Sequence, residues 1–201
     1  YHAPCQLKSQ GMGKPALEVL RLIPGLTVVA DTSLASRLRA QLPAAVGAGG
    51  GPLVALHISA RKEKQRWPVE YFAELAHRLY AVHNARFLVF WSPGDENNPF
   101  HPGDDGKAAS LLSLLADLPV TPVPTGHLSE LMAGLSLCDV AVLSDGGAMH
   151  VAAGLGKPVV CFFGNSPAER WHPPSLWRAS ARFARARSKN EVHEQRRQSG
   201  R

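Results

Sequence analysis

Apolar positions change rhythm along the chain, and the changes mark its elements. Leu53-Val54-Ala55-Leu56-His57-Ile58 is a short, nearly unbroken apolar run, the pattern of a strand covered on both faces. Pro68 to Val82 then places Val69, Phe72, Ala73, Leu75, Ala76 and Leu79 at helical spacing, with Pro68 at a favoured first-turn position. A second apolar run covers Arg86 to Trp91, and Ser92 to Gly103 reads as a loop from its Pro, Gly, Asn and Asp. The alternation continues with a helix over Lys107 to Leu118, a weak strand over Val120 to Val123 and a helix over Leu128 to Leu137. A strand over Val140 to Leu143, a helix over Ala148 to Leu155 and a strand over Pro158 to Phe163 complete it. Before Leu53 the pattern predicts short elements at Pro15 to Leu22 (helix) and Leu26 to Ala30 (strand). Thr32 to Leu42 forms a better helix, with Asp31 or Thr32 as its cap. Ala44 to Gly51 is a flexible linker by composition.

Strands that are apolar throughout and alternate with helices imply a parallel sheet with helices on both faces. The fold class expected is therefore α/β, a Rossmann-like sheet. The expected division is a first region over 1–51 ending in the Gly-rich linker, the Rossmann-like domain over 52–178, and a basic tail over 179–201. Ligands of such sheets sit at the carboxyl ends of the strands, which directs attention to the loops after Ile58, Trp91, Val123, Leu143 and Phe163.

Composition narrows the partners. The 201 residues are 45% hydrophobic, enough for a sizeable core, and carry a net charge of +6 that favours anionic ligands. Much of that excess lies after Trp177, in Arg178, Arg182, Arg185, Arg187, Lys189, Arg196, Arg197 and Arg201. Such a tail reads first as a solvated end and second as a contact with a membrane surface or nucleic acid. Cys5, Cys138 and Cys161 lack metal-ligand spacing; the last two sit in apolar runs and read as buried residues. No apolar run has the length of a spanning helix or the form of a secretory signal, so a cytoplasmic location is expected.

Four strand-end segments can carry chemistry. Ser144-Asp145-Gly146-Gly147-Ala148-Met149-His150 follows a strand and opens a helix. Its glycines permit close backbone approach, and the N–H groups of a helix start attract an anion. Asp145 could accept hydrogen bonds from sugar hydroxyls or simply cap the helix; His150 could serve the site or the interior. Ser59 to Pro68 holds Arg61, Lys62, Lys64 and Arg66, which could pair with a diphosphate or form a solvated loop. Trp91 to Asn98 carries Glu96, suited to ribose hydroxyls but also part of plain turn composition. Nearby His101, Asp104 and Asp105 are metal-type residues without diagnostic spacing, and a loop role is favoured. Phe163 to Pro173 could wall a pocket, with Trp171 packing on a sugar ring or on the domain. There is no Gly-x-Ser-x-Gly elbow, phosphate-cradling Gly-x-x-x-x-Gly-Lys-Ser/Thr loop or His-Glu-x-x-His, and the Gly-x-Gly-x-x-Gly turn of nicotinamide enzymes is missing.

Taken together these segments resemble glycosyltransferase family 9, the lipopolysaccharide heptosyltransferases, over about Leu53 to Pro173. The resemblance rests on Ser144 to His150, the small-residue helix from Val151, the Pro158-led strand, Phe163-Gly164 and Trp171-His172-Pro173. Gln65-Arg66-Trp67-Pro68 agrees as well. It implies the C-terminal, donor-binding half of a GT-B type enzyme, no cofactor, and a nucleotide-sugar donor, ADP-heptose. The acceptor implied is the lipopolysaccharide core, with a peripheral contact at the inner membrane. It further implies that Gly146, Gly147, Ala148 and Met149 meet the donor and that Asp145 holds its sugar hydroxyls. Lys64 or Arg66 would face the phosphates, Glu96 the ribose, and His150 would support the loop. Two departures stand out. Many members place Lys two residues before the Trp, where this chain has Gln65, and many have Thr then Gly where it has Gly146-Gly147.

The family's N-terminal domain supplies the presumed catalytic base and the acceptor site, and residues 1–51 are too short for such a domain. The expectation is a truncated, donor-binding glycosyltransferase with doubtful activity alone; catalytic residues are not assigned. The alternative is a non-catalytic binder or an assembly half that needs a separate N-terminal domain. Nucleic acid is the disfavoured partner, because aromatics are 7% and the strand-end loops are acidic.

Overall fold

The computed structural model describes residues 30–48, 50–60, 65–98 and 102–163. Five parallel strands form one sheet in the order β3-β2-β1-β4-β5. They are β1 (Leu53–His57), β2 (Arg86–Trp91), β3 (Val120–Pro124), β4 (Val140–Ser144) and β5 (Val159–Phe162). The helices are α1 (Thr32–Gln41), α2 (Ala44–Gly47), α3 (Val69–His83), α4 (Asp105–Leu114), α5 (Leu128–Leu137) and α6 (Gly147–Gly154). The Rossmann-like α/β class is thus the observed one, with strands pairing in parallel throughout.

Alternation along each strand divides the core. Val54, Leu56, Phe87, Val89 and Val142 pack with Phe72, Ala76 and Leu111 of α3 and α4. Leu53, Ala55, Leu88, Phe90 and Leu143 pack on the opposite face with Leu135, Met149 and Ala152 of α5 and α6. Phe72, Phe87 and Phe90 are fully buried, and each such burial contributes roughly 1.5–3 kcal/mol relative to exposure. At the amino edge, Leu53 N donates to Asp139 Oδ2 at 2.8 Å, while Asp139 N donates to Leu53 O at 2.8 Å. This exchange fixes the start of β1 against the start of β4.

Two expectations need revision. The Ala44–Gly51 stretch is not a free spacer where it is described. Ala44–Gly47 is a helical turn with Val46 buried, and the Arg86 guanidinium donates to the carbonyls of Val46 and Gly51. Composition missed this because the holding group is distant in sequence. The helix expected over Lys107 to Leu118 instead runs Asp105–Leu114. Pro119 disfavours helical geometry at Leu118, and the chain turns off beforehand, with Leu115 N donating to Leu111 O and Leu112 O. Asp31 is the cap of α1, accepting from Ser33 N at 2.9 Å and Leu34 N at 3.1 Å. α1 lies on α5, with Leu38 and Leu42 against the core. The expected elements at 15–22 and 26–29 lie outside the described residues. Among the described residues no helix is long and apolar enough to cross a membrane.

The approach of α5 to the sheet requires a glycine. A β-carbon at Gly134 would overlap the Phe90 ring, which is fully buried. Gly134→Ala is expected to destabilise by about 1–3 kcal/mol through overpacking. Gly106→Ala, on α4 with open space around the added carbon, should be neutral or stabilising by up to about 1 kcal/mol. Urea unfolding of the two variants checks the contrast.

Candidate functional site

The chain leaves β1 toward α3 on one face of the sheet and leaves β4 toward α6 on the other. β1 and β4 are neighbours, paired from Val54↔Val140 to His57↔Leu143. Their following loops therefore diverge and open a crevice at the topological switch point, where ligands of such sheets bind.

Three contacts hold the loop after β1 against the end of β4. Trp67 N donates to Ser144 Oγ at 3.3 Å, and Ser144 is fully buried. The Trp67 indole stacks on Phe162 of β5 with centroids 3.7 Å apart and meets Phe72 edge-on at 4.7 Å. Gln65 Nε2 donates to Asp145 Oδ2 at 2.6 Å. The loop also closes on itself, because Arg66 Nε donates to Ala60 O at 2.9 Å.

Asp145 is buried, and its N–H donates to Phe162 O at 2.9 Å. Gly146 follows in extended backbone, with φ 176° and ψ −172°, and caps α6 with no side-chain hydrogen bond. The first N–H groups of a helix have no backbone partners within it, and the cap residue here, a glycine, offers no side chain of its own. The partial positive charge of a helix start suits an anion. Neither strain nor crowding calls for glycine at 146: a β-carbon there would meet only Ser144 O, at 3.9 Å. What a glycine adds at this point is access to the backbone.

The predicted site residues divide into three groups. Asp145, Gly146, Gly147, Ala148, Met149 and His150 lie together at the start of α6, and Arg66 lies on the loop moored there through Gln65 and Trp67, with its own Nε bonded to Ala60 O. Ala148 and Met149 bury their side chains in the core, so only their backbone is left to meet a ligand. His150 is half-buried in the first turn. Glu96 is exposed on the loop after β2, within a turn in which Asp95 Oδ1 accepts from Asn97 N at 2.8 Å. That loop is tied to the first by Ser92 N donating to Ser59 Oγ at 2.9 Å. Lys64 lies outside the described residues, as do His101 and Gly164 to Pro173. Asp104 pairs with Lys107, and Asp105 accepts from Trp91 Nε1 at 2.7 Å and Gly94 N at 3.0 Å. Both carboxylates thus serve the loop.

Two residues gain importance from the geometry. Gln65 reaches Asp145 across 80 positions of sequence, which no local pattern reveals. His57 ends β1 beside the crevice, buried, with Nδ1 lacking a hydrogen-bond partner. The available signal was a polar residue closing an otherwise apolar parallel strand. Burial lowers the His57 pKa from 6.5 to about 4, against the opposing pull of the Asp104 charge, so the ring is neutral near pH 7. Burial also pushes the Cys138 thiol up to about 12 and, with the Asp145 charge adding to it, raises that of Cys161. Neither is a nucleophile, in agreement with their reading as core residues.

A five-stranded parallel α/β domain whose strand order reverses between β1 and β4 is of the Rossmann-like class. Within it, the chain belongs to glycosyltransferase family 9 (heptosyltransferase), whose family model matches residues 23–200. Among solved structures it is similar to the E. coli ADP-heptose lipopolysaccharide heptosyltransferase II, at 22% identity and a TM-score of 0.58, covering 77% of this chain and 44% of that one. It is also similar to a family 9 glycosyltransferase from Veillonella parvula, at 18% identity and a TM-score of 0.55, covering 87% of this chain and 46% of that one. The chain thus spans less than half the length of these relatives. No curated protein sequence matches it.

His57 makes stability depend on pH. The unfolded imidazole takes a proton below 6.5, whereas the folded one stays neutral down to about 4. The contribution is complete above pH 6.5 and is lost as pH falls toward 4, by roughly 3 kcal/mol. Unfolding free energies measured across this window should fall accordingly, and His57→Leu should flatten that part of the profile.

Proposed function

We propose that this domain binds the nucleotide-sugar donor of a glycosyl transfer, an ADP-heptose, for delivery to a hydroxyl of a lipopolysaccharide core acceptor. The observation that carries the reading is the glycine-led start of α6 at the switch point, directly after the buried carboxylate of Asp145. An anion and a polyol are the ligands these two features suit, and a sugar diphosphate joins them in one molecule. Membership of family 9 supports glycosyl transfer, and the name of the similar E. coli enzyme supports the ADP-linked heptose.

In this reading the diphosphate rests on backbone N–H groups of Gly146, Gly147 and Ala148. Asp145 accepts hydrogen bonds from the sugar, Lys64 or Arg66 adds positive charge, and Glu96 meets the ribose. During transfer the acceptor oxygen bonds to the anomeric carbon while the bond from that carbon to the diphosphate oxygen breaks. Negative charge grows on the departing diphosphate, where fixed N–H dipoles are most effective. A base must also take the acceptor proton, and none of the described residues is assigned that role.

Thermal unfolding with ADP, UDP, GDP and NAD tests the proposal. ADP at a hundred times its dissociation constant should stabilise by about 2.7 kcal/mol, a midpoint rise of about 5–10 °C. Asp145→Ala should weaken ADP-heptose more than ADP. A chain that unfolds cooperatively and responds to no nucleotide would refute donor binding. Gly146→Ala should leave stability within about 1 kcal/mol of the parent, since extended backbone accepts alanine, while reducing ADP affinity about tenfold or more. Unchanged ADP affinity in that variant would remove the close backbone approach from the scheme.

A further inference from the structure

We propose that Gln65 is a positioning residue for Asp145: its side-chain amide orients the carboxylate for donor-sugar hydroxyls and so sets selectivity for a nucleotide sugar over a bare nucleoside diphosphate. The inference rests on the donor-binding reading above and adds a residue and a selectivity to it.

The geometry supports a fixed rather than casual contact. Gln65 Nε2 lies 2.6 Å from Asp145 Oδ2, a short charge-assisted hydrogen bond. Gln65 has little freedom to leave, because the next two residues are anchored: Arg66 to Ala60 O, and Trp67 to Ser144 Oγ and the Phe162 ring. Asp145 is equally constrained, since its own N–H is bonded to Phe162 O and its neighbour Ser144 is fully buried. Both ends of the contact are thus built on the same aromatic support.

The chemistry of the partner matters as much as its position. A buried carboxylate needs donors, and a cation in this place would satisfy it while cancelling its charge. The amide supplies one such donor without bringing a charge of its own. The carboxylate oxygens accept from hydroxyl donors and are a poor place for a second anion. Sugar and diphosphate are thereby assigned to different places, the sugar toward Asp145 and the phosphates toward the N–H groups of α6. A lysine at position 65 would weaken this separation by drawing phosphate toward the carboxylate.

The experiment is a double-mutant cycle at 65 and 145, read by unfolding midpoint without ligand and by affinity for ADP-heptose and for ADP. Gln65→Ala should reduce ADP-heptose affinity about tenfold while changing ADP affinity less than about twofold, and should have no further effect on ADP-heptose once Asp145 is Ala. Without ligand, the two substitutions should be non-additive in midpoint. Gln65→Lys should narrow the ratio of ADP-heptose to ADP affinity mainly by strengthening ADP. Gln65→Glu, which keeps the shape of the side chain, should lose ADP-heptose at neutral pH and regain it as pH is lowered and one carboxylate takes a proton. Equal losses for both ligands would make Gln65 a phosphate contact or a purely structural residue and overturn the proposal. Additive effects, with or without ligand, would overturn it as well. If the parent chain binds neither ligand, the donor reading falls and this inference with it. If the parent binds both and Gln65→Ala preserves their ratio, only this inference falls.

Discussion

The pairing of β1 with β4 is the constraint on which the rest depends. These strands lie side by side in the middle of the sheet, although β2 and β3 come between them in the chain. One sends its chain to α3 on one face and the other sends it to α6 on the opposite face. A crevice between their loops is the geometric result, whatever the loops contain. The mutual hydrogen bonds of Leu53 and Asp139 set the register from the opposite edge, and the site inherits it. A slip of one residue in β4 would move Ser144 away from Trp67 N and turn Asp145 to the other face.

At the carboxyl edge, polar groups survive burial because each has a defined task. Ser144 is a buried acceptor for a neighbouring backbone N–H. Asp145 accepts from a neutral amide, close to the positive end of a helix. His57 avoids the cost of a buried charge by staying neutral. The crevice therefore combines one fixed carboxylate with backbone donors, a distribution that fits a ligand having an anionic part and a hydroxyl-rich part.

Local patterns made the order of strands and helices legible from residue 53 onward, because a parallel sheet writes its strands as apolar runs. Arg86–Trp91 and Leu128–Leu137 fall where periodicity places them. The strand-to-helix turn at Asp145-Gly146-Gly147 was also visible, since its residue types are local. What sequence did not show was the meeting of distant parts. Gln65 with Asp145, Arg86 with the carbonyls of Val46 and Gly51, and Ser59 with Ser92 are all made by the sheet's order. Charge counting drew attention to Lys64 and Arg66 and passed over the neutral Gln65 between them.

The open start of α6 has a consequence for how this chain can diverge. Recognition by backbone N–H groups is indifferent to most side chains, so under the proposed function Ala148 and Met149 answer only to the core into which they pack. Substitutions along that helix are filtered by volume, while ligand identity is written in a few letters around it. A lineage using such a site can change most of its sequence and keep an old ligand, or change one or two neighbouring polar residues and acquire a new one.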